Sequence, residues 1–388
     1  MGARLARRAQ GIPPTVFSAM SALALQTGAV NLGQGFPDTD GPASVLERAR
    51  AAVAEGRNQY APGVGVPALR EAVARHQARH HGIDLDPDTQ VVVTTGATEG
   101  IAAALLGLVD PGDEVVLLEP SYDAYDAVLA MAGAVRRPVT LRSPDFRLDA
   151  DAFRAAVHDG TRLILLNSPH NPTGSVLTPA ELAVVAEVAV RHDVLVVTDE
   201  VYEHLVYDDH RHVPISTLPG MAERTLTVSS LGKSWSLTGW KVGWATGPAD
   251  LVAAVLAVKQ WTTFTSGSPL QPAAAHALDA EGDFPLRLAA DLQRRRDLLC
   301  DGLSAAGLAP RVPEGTYFSV TDVAELGWAD SAAFCAALPE RAGVVAIPLQ
   351  GFHSDPTVGQ HLVRWAFCKD EPVLVEGLRR LAAADLRA

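Results

Sequence analysis

A chain of 388 residues, 48% of them hydrophobic and with a mean hydropathy of +0.11, is long enough for two domains or for one large domain with a smaller companion. No uninterrupted apolar run reaches the roughly 18 residues needed to cross a bilayer. An excess of 45 acidic over 32 basic residues, a formal charge of −13, argues against a nucleic-acid or anionic-membrane surface and leaves small-molecule chemistry as the expectation.

Residues near 16–25 carry one short apolar helix, and a Gly/Pro-rich turn follows at 30–38. Gly33 and Gly35 there allow a close backbone approach with bare amides for an anion, although an ordinary turn explains the stretch equally well. It is not the dinucleotide fingerprint G-x-G-x-x-G, because the last glycine would fall at Asp38. Helical spacing covers about 43–55 and 67–81, with Tyr60 on the loop between them.

From residue 90 strands and helices alternate. Strands are predicted at 90–94, 113–118, 134–139, 162–166, 194–198, 224–228 and 242–246, with helices at 98–109, 122–132, 149–157, 178–191 and 249–260. The strands are continuous Val/Leu/Ile runs without alternation, which predicts a mostly parallel sheet covered by helices on both faces. From about 283 the texture changes to a long charged helix (286–306), short strands near 316–321, 343–347 and 361–367, and a terminal helix at 371–386, a smaller α+β unit. Cys300, Cys335 and Cys368 are far apart and in apolar contexts, so they read as buried thiols of a reducing compartment. The basic N-terminus lacks the apolar core of a secretion signal, and a cytoplasmic protein is expected.

Chemistry-bearing residues follow three of the strands: Asn171, Asp199 and Lys233. Taken singly, such a lysine is usually solvated and such an aspartate usually caps a helix. Together they fall at the carboxyl ends of strands, where open parallel sheets bind ligands. A lysine able to form a Schiff base, with an aspartate to pair a pyridinium nitrogen, is the set that pyridoxal phosphate (PLP) chemistry needs. Ser229, Ser230, Gly232, Ser234 and Thr238 disfavour a continuous helix, so Lys233 is expected on a polar loop. The strand–glycine–helix pattern at 91–100 makes Gly96, Ala97 and Thr98 a candidate phosphate cradle, a plain N-cap at Thr98 being the comparable alternative, and Ser230 and Lys241 could reach the same phosphate. Gly232-Lys233-Ser234 looks like the tail of a P-loop, but Thr227 stands where that motif needs glycine. His80 and His81, and the group His204, His210 and His212 with Asp208 and Asp209, lack a metal-ligand spacing and read as solvated surface, so no metal is expected.

The set Gly96-Ala97-Thr98, Tyr122, Asn171-Pro172-Thr173-Gly174, Asp199-Glu200-Val201-Tyr202, Ser230-x-x-Lys233 and Gly239-Trp240-Lys241-Val242-Gly243 resembles the class I/II aminotransferases among the fold-type-I PLP enzymes, over essentially the whole chain. The stretches 31–42 and 361–369 are most similar to the branch holding kynurenine, glutamine and methionine aminotransferases and the actinobacterial N-succinyldiaminopimelate aminotransferases. The resemblance implies an α/β fold: a large PLP-binding domain (46–282) with a mostly parallel central sheet, a smaller α+β domain (283–388), and a segment 1–45 packing with the latter.

It further implies that Lys233 carries PLP and shuttles the substrate's α proton, that Asp199 pairs the pyridinium N–H, and that Asn171 and Tyr202 donate to the ring's phenolic oxygen. Tyr122 would stack on the ring, while Ser230, Lys241 and the amides of Gly96, Ala97 and Thr98 hold the phosphate. Lys241 replaces the arginine of many members, a point charge in place of a bidentate fork. Tyr60 would reach the neighbouring subunit's phosphate, which implies a homodimer. Arg364 with the Gly35 amide would bind the substrate α-carboxylate, with Asn171 and Phe17 completing the substrate side. The expected activity is ping-pong amino transfer with glutamate as donor and N-succinyl-2,6-diaminopimelate as the leading substrate. A kynurenine-, glutamine- or methionine-type enzyme, a dedicated biosynthetic aminotransferase, or a PLP β-lyase or oxidase stays open. A ligand-sensing domain of a transcription regulator would need a DNA-binding domain for which the pattern leaves no room.

Overall fold

Strand runs that never alternate must be covered on both faces, and the computed structural model, which describes residues 6–10, 12 and 15–388, shows them so. The strands in chain order are β1 (Val30–Asn31), β2 (Val91–Thr94), β3 (Glu114–Glu119), β4 (Val135–Thr140), β5 (Thr161–Asn167), β6 (Leu195–Asp199), β7 (Thr225–Ser230), β8 (Gly243–Thr246), β9 (Phe318–Asp322), β10 (Val344–Val345), β11 (Ile347–Pro348) and β12 (Leu362–Ala366). Seven of them form one sheet in the order β2-β8-β7-β6-β5-β3-β4. Only β8 runs against its neighbours; the other pairings are parallel. Leu163, Ile164, Val196, Val197, Leu226 and Val228 are shut off from solvent in its centre. Each such side chain contributes roughly 1.5–3 kcal/mol by leaving water. β4 departs from the buried pattern: it carries Arg136, Arg137 and Pro138 and is largely exposed, as an edge strand tolerates.

Helices cover both faces. Gly96–Leu108 packs on Ala249–Thr262 and against β7 and β8, and Gly107 permits that crossing, since a Cβ there would stand 2.6 Å from the Ala254 carbonyl oxygen. Pro179–Arg191 starts with a capping box in which Thr178 and Glu181 satisfy each other's backbone N–H groups. Register then decides what the sheet presents. Asn167 lies opposite Asp199, and Asp199 opposite Val228, so the carboxyl ends of β5, β6 and β7 stand side by side.

The C-terminal third forms a three-stranded antiparallel sheet, β11-β12-β9, with Arg364 between Ile347 and Val320. The helix Phe284–Ala305 packs on Glu371–Ala383, and β1 pairs in parallel with β10, tying the N-terminal segment to this part of the molecule. Two helices go beyond what the sequence pattern predicts, Gln271–Ala280 and Ser331–Ala342; the second holds a proline, Pro339, in its interior and starts at Asp330, whose carboxylate accepts from the Ala333 N–H at 2.7 Å. Lys233 is also not on a polar loop. It sits in a single helical turn, Leu231–Ser234, because β7 runs on to Ser230 and the buried Leu231 anchors the turn that follows. Among the described residues, no helix is long and apolar enough to cross a membrane.

Candidate active site

A cavity of about 1140 Å³ opens at the carboxyl ends of β5, β6 and β7 and is closed from the other side by residues of the small sheet and the segment after β1. Asp199, the last residue of β6, is buried at its base. The Tyr125 hydroxyl donates to Asp199 Oδ2 at 2.6 Å and the Val201 N–H to Oδ1 at 3.3 Å, while the Asn167 side-chain amide holds the Asp199 carbonyl at 2.9 Å. Burial pushes the carboxyl up to about 6, against those hydrogen bonds and the charge of Lys233, which pull it down. The Lys233 ammonium is pushed the other way, to about 8, first by burial and then by Lys241 and Arg364, with Cys368 and Asp199 opposing. Its Nζ lies 5.8 Å from the Tyr202 ring centre and 5.9 Å from that of Tyr317. An amine with a pKa near 8 keeps a sizeable neutral fraction at pH 7, so it can attack a carbonyl and can take up a proton.

The anion cradle lies beside it. Gly96 takes the left-handed conformation (φ +70°) that opens the helix Gly96–Leu108, and Thr95 supplies no side-chain cap, so the first amides keep their donors. Lys241, itself left-handed (φ 52°), brings its Nζ to 3.4 Å from Thr98 Oγ1. A Cβ added at Gly96 would meet Lys241 Nζ at 3.2 Å, so any side chain there would fill the space between amides and ammonium.

Arg364 is buried and meets no carboxylate among the described residues. One guanidinium nitrogen donates to Asn171 Oδ1 at 3.0 Å and the other to the Gly33 carbonyl at 2.8 Å, while Nε has no partner among the described residues. The planar group lies 3.9 Å from the Phe318 ring centre and 4.8 Å from that of Phe17. Burial lowers its pKa to about 10, which leaves it charged at neutral pH. The Gly35 carbonyl accepts from the Tyr317 hydroxyl at 2.6 Å, and a Cβ at Gly35 would stand 2.5 Å from Phe318.

Residues 27–381 match the sequence pattern of aminotransferase class I and II. The chain belongs to this family. This aminotransferase is 54% identical over 380 residues to a probable N-succinyldiaminopimelate aminotransferase of Mycobacterium tuberculosis, with 95% of each chain covered. It is 41% identical over 367 residues to the methionine aminotransferase of Escherichia coli, again over 95% of each. Among solved structures, N-succinyldiaminopimelate aminotransferase from Mycobacterium tuberculosis superposes with a TM-score of 0.95 at 53% identity, covering 98% of this chain and 100% of the other. Aspartate aminotransferase from Thermus thermophilus with maleate gives 0.92 at 33% identity, covering 98% and 100%. The family's enzymes depend on PLP, and the residues present fit that group: a lysine with a lowered pKa, a buried carboxylate, and a cradle of amides and cation that a Cβ at Gly96 would fill.

The cavity gathers Phe17, Gly35, Gly96, Ala97, Thr98, Tyr122, Asn171, Asp199, Tyr202, Ser230, Lys233, Lys241 and Arg364, all of them singled out from the sequence. Tyr60 is not among them. It is 82% exposed, edge-on to Phe264 at 5.3 Å, on a separate shallow depression with Asn58 and Ser268. Sequence reasoning missed Tyr125, Asn167, Tyr317 and Arg136; of these Asn167 carried a signal, as the polar residue that ends the apolar run Leu163-Ile164-Leu165-Leu166. One expectation is corrected. The side chains of His81, His204 and His212 are not solvated but buried with Glu200 and Glu203, and His80 is half-buried with its Nε2 shielded from water, because the end of the helix Pro67–His81 packs on the turn after β6. His210, Asp208 and Asp209 are exposed.

The lowered lysine gives a direct check. Neutral amine is the reactive form, so acylation of Lys233 in the apoenzyme by acetic anhydride, followed by peptide mass spectrometry, is expected to rise with pH through a midpoint near 8. A midpoint at the ordinary lysine value of about 10.4 would contradict the assigned environment.

Proposed function

We propose that this aminotransferase moves an amino group between glutamate and the 2-oxo acid corresponding to N-succinyl-2,6-diaminopimelate, by a ping-pong cycle. The carrying observation is Arg364, a buried guanidinium that among the described residues has no partner for Nε and no carboxylate of its own, beside a lysine whose pKa is held near 8. PLP, when bound, supplies an electron sink for the carbanion formed at the substrate α carbon. Lys233 would hold it and then move the α proton, while Asp199 would keep the ring nitrogen's proton in place, its own orientation fixed by Tyr125 and Val201. Tyr122 would cover the ring face, and Asn171 and Tyr202 would donate to its oxygen; with Asn171 Oδ1 occupied by Arg364, the amide's NH₂ is the end left to donate. Ser230, Lys241, Thr98 and the amides of Gly96 and Ala97 would take the phosphate. Arg364 would orient the α-carboxylate, and Phe17, Phe318 and Phe352 exclude water around it.

The substrate reading is supported by the 54% identity to the Mycobacterium tuberculosis relative and by one further cation. Among the described residues, the cavity is lined by the cations Arg136, Lys233, Lys241 and Arg364, and of these Arg136 is the one without a role in the core chemistry. It pairs with Glu119 and with Asp126 at 3.1 Å, so to meet a distal anionic group it would exchange one of these carboxylates for the substrate's. Arg136→Gln is expected to lower kcat/KM for N-succinyl-2,6-diaminopimelate about 10- to 100-fold, the worth of one charged hydrogen bond of roughly 1.5–3 kcal/mol, and to leave methionine nearly unchanged. Equal losses on both substrates would refute the role.

The reading as a whole is tested by comparing kcat/KM for N-succinyl-2,6-diaminopimelate, kynurenine, glutamine and methionine with 2-oxoglutarate as acceptor. The first should lead by at least about tenfold; a methionine or kynurenine preference overturns it. A homodimer is part of the proposal, on the exposed aromatic group Tyr60, Trp261 and Phe264 (82%, 84% and 51% exposed). Light scattering should give twice the 40.9 kDa chain mass, and a monomer at micromolar concentration would exclude Tyr60 from any shared site. Three buried free thiols support a reducing, cytoplasmic setting, which cell fractionation can check.

A further inference from the structure

Behind Tyr202, and outside the catalytic cavity, the end of the helix Pro67–His81 meets the turn after β6 in a cluster of buried imidazoles and carboxylates. His76 Nε2 and His204 Nε2 stand 2.8 Å apart. Glu203 lies between charged and polar neighbours: its Oε2 contacts His81 Nε2 at 2.7 Å, and its Oε1 accepts from the Ser229 hydroxyl at 2.6 Å. One ligand atom from each of His76, Glu203 and His204 falls within 4.8 Å of the other two. The His80 ring is 4.6 Å from that of His76 and 4.9 Å from that of His204, and two buried ring nitrogens, His76 Nδ1 and His80 Nε2, have no hydrogen-bond partner among the described residues.

We propose that His76, Glu203 and His204 form a binding site for one divalent transition-metal ion of the zinc class, with His80 or a water as fourth ligand. Two imidazoles and one carboxylate are the borderline donor set such ions take, whereas magnesium and calcium take oxygen. Metal–nitrogen bonds of about 2.0–2.1 Å at tetrahedral angles set the two nitrogens about 3.3 Å apart, so the rings need part by only about 0.5 Å. His76 and His204 are buried, which favours the neutral imidazole that a metal ligand must be. His81 on Glu203 then serves as the outer partner that orients a ligating carboxylate. Glu203 follows Tyr202 and Ser229 precedes Ser230, so an ion there braces two residues of the catalytic wall from behind.

The test is a titration of chelator-treated, dialysed holoenzyme with Co²⁺. The expected result is a visible ligand-field band that saturates at one equivalent per chain, is displaced by Zn²⁺, and weakens at least about tenfold in affinity in His76→Gln and in His204→Gln. His158→Gln, which changes a half-exposed histidine paired with Glu114, should leave it intact. Circular dichroism confirms that the variants fold, and native mass spectrometry of the unmutated enzyme with added Zn²⁺ gives an independent count of one ion per chain. Substoichiometric binding in both measurements, or equal loss in His158→Gln, overturns the site.

Discussion

Lys233→Ala is expected to lower kcat for amino transfer by about 10,000-fold or more while leaving the far-ultraviolet circular dichroism unchanged. Two separate functions would leave with the side chain: the amine proposed to hold the cofactor and the group proposed to move the substrate's α proton. General acid–base assistance alone is worth about 10²–10⁴. The fold should tolerate the change, because among the described residues the Lys233 amine makes no hydrogen bond that ties elements together and its turn is anchored by Leu231. Burial also disfavours the ammonium, so removing it relieves a cost rather than adding one. Linkage has a definite sign here. The folded-state pKa is lowered, so between pH 8 and the ordinary lysine range the unfolded chain binds more protons, and this group's contribution to apoenzyme stability rises with pH across that window. Activity within about tenfold of the unmutated enzyme would remove Lys233 from the chemistry.

Arg364→Gln is expected to lower kcat/KM about 10²- to 10⁴-fold for every amino acid and 2-oxo acid tested, mainly through KM. Two hydrogen bonds from a guanidinium to a carboxylate are worth roughly 1.5–3 kcal/mol each. Arg364→Lys should recover little, since an ammonium cannot reproduce the fork or lie flat against Phe318. The stability cost should be moderate: the arginine's present partners are an amide oxygen and a backbone carbonyl, both of which a glutamine can still meet. A loss confined to N-succinyl-2,6-diaminopimelate would instead place the α-carboxylate elsewhere, because Arg136 is the cation assigned to the distal group.

The central strands are legible in the sequence because complete burial leaves its mark in composition: short runs such as Leu163-Ile164-Leu165-Leu166, bounded by polar and proline-broken loops and alternating with helices, read as strands covered on both faces. The polar residues just beyond those runs, Asn171, Asp199 and Lys233, can be placed at one sheet edge from the sequence alone, since parallel strands deliver their ends together. Motif order then supplies the rest of the cavity wall. Elements whose residues contradict their conformation are harder: β4 reads Val135-Arg136-Arg137-Pro138 because it is an edge, and the helix Ser331–Ala342 contains Pro339. The histidine cluster reads as surface for a different reason. Its members come from 76–81 and 200–212, each stretch too short in ligand spacing to mean anything alone, and only the packing of a helix end on the turn after β6 joins them. Arg136 and Tyr317 are likewise invisible in the sequence, since neither belongs to a motif and both owe their position to tertiary contacts.

The central claim is transfer rather than elimination or oxidation, and a half-reaction decides it. Holoenzyme is mixed with excess glutamate in the absence of any 2-oxo acid, and the 2-oxoglutarate and ammonia released are counted against protein chains. The account predicts one 2-oxoglutarate per chain, no ammonia, and renewed release only when an acceptor is added. Continued release of 2-oxo acid with matching ammonia and no acceptor would contradict it.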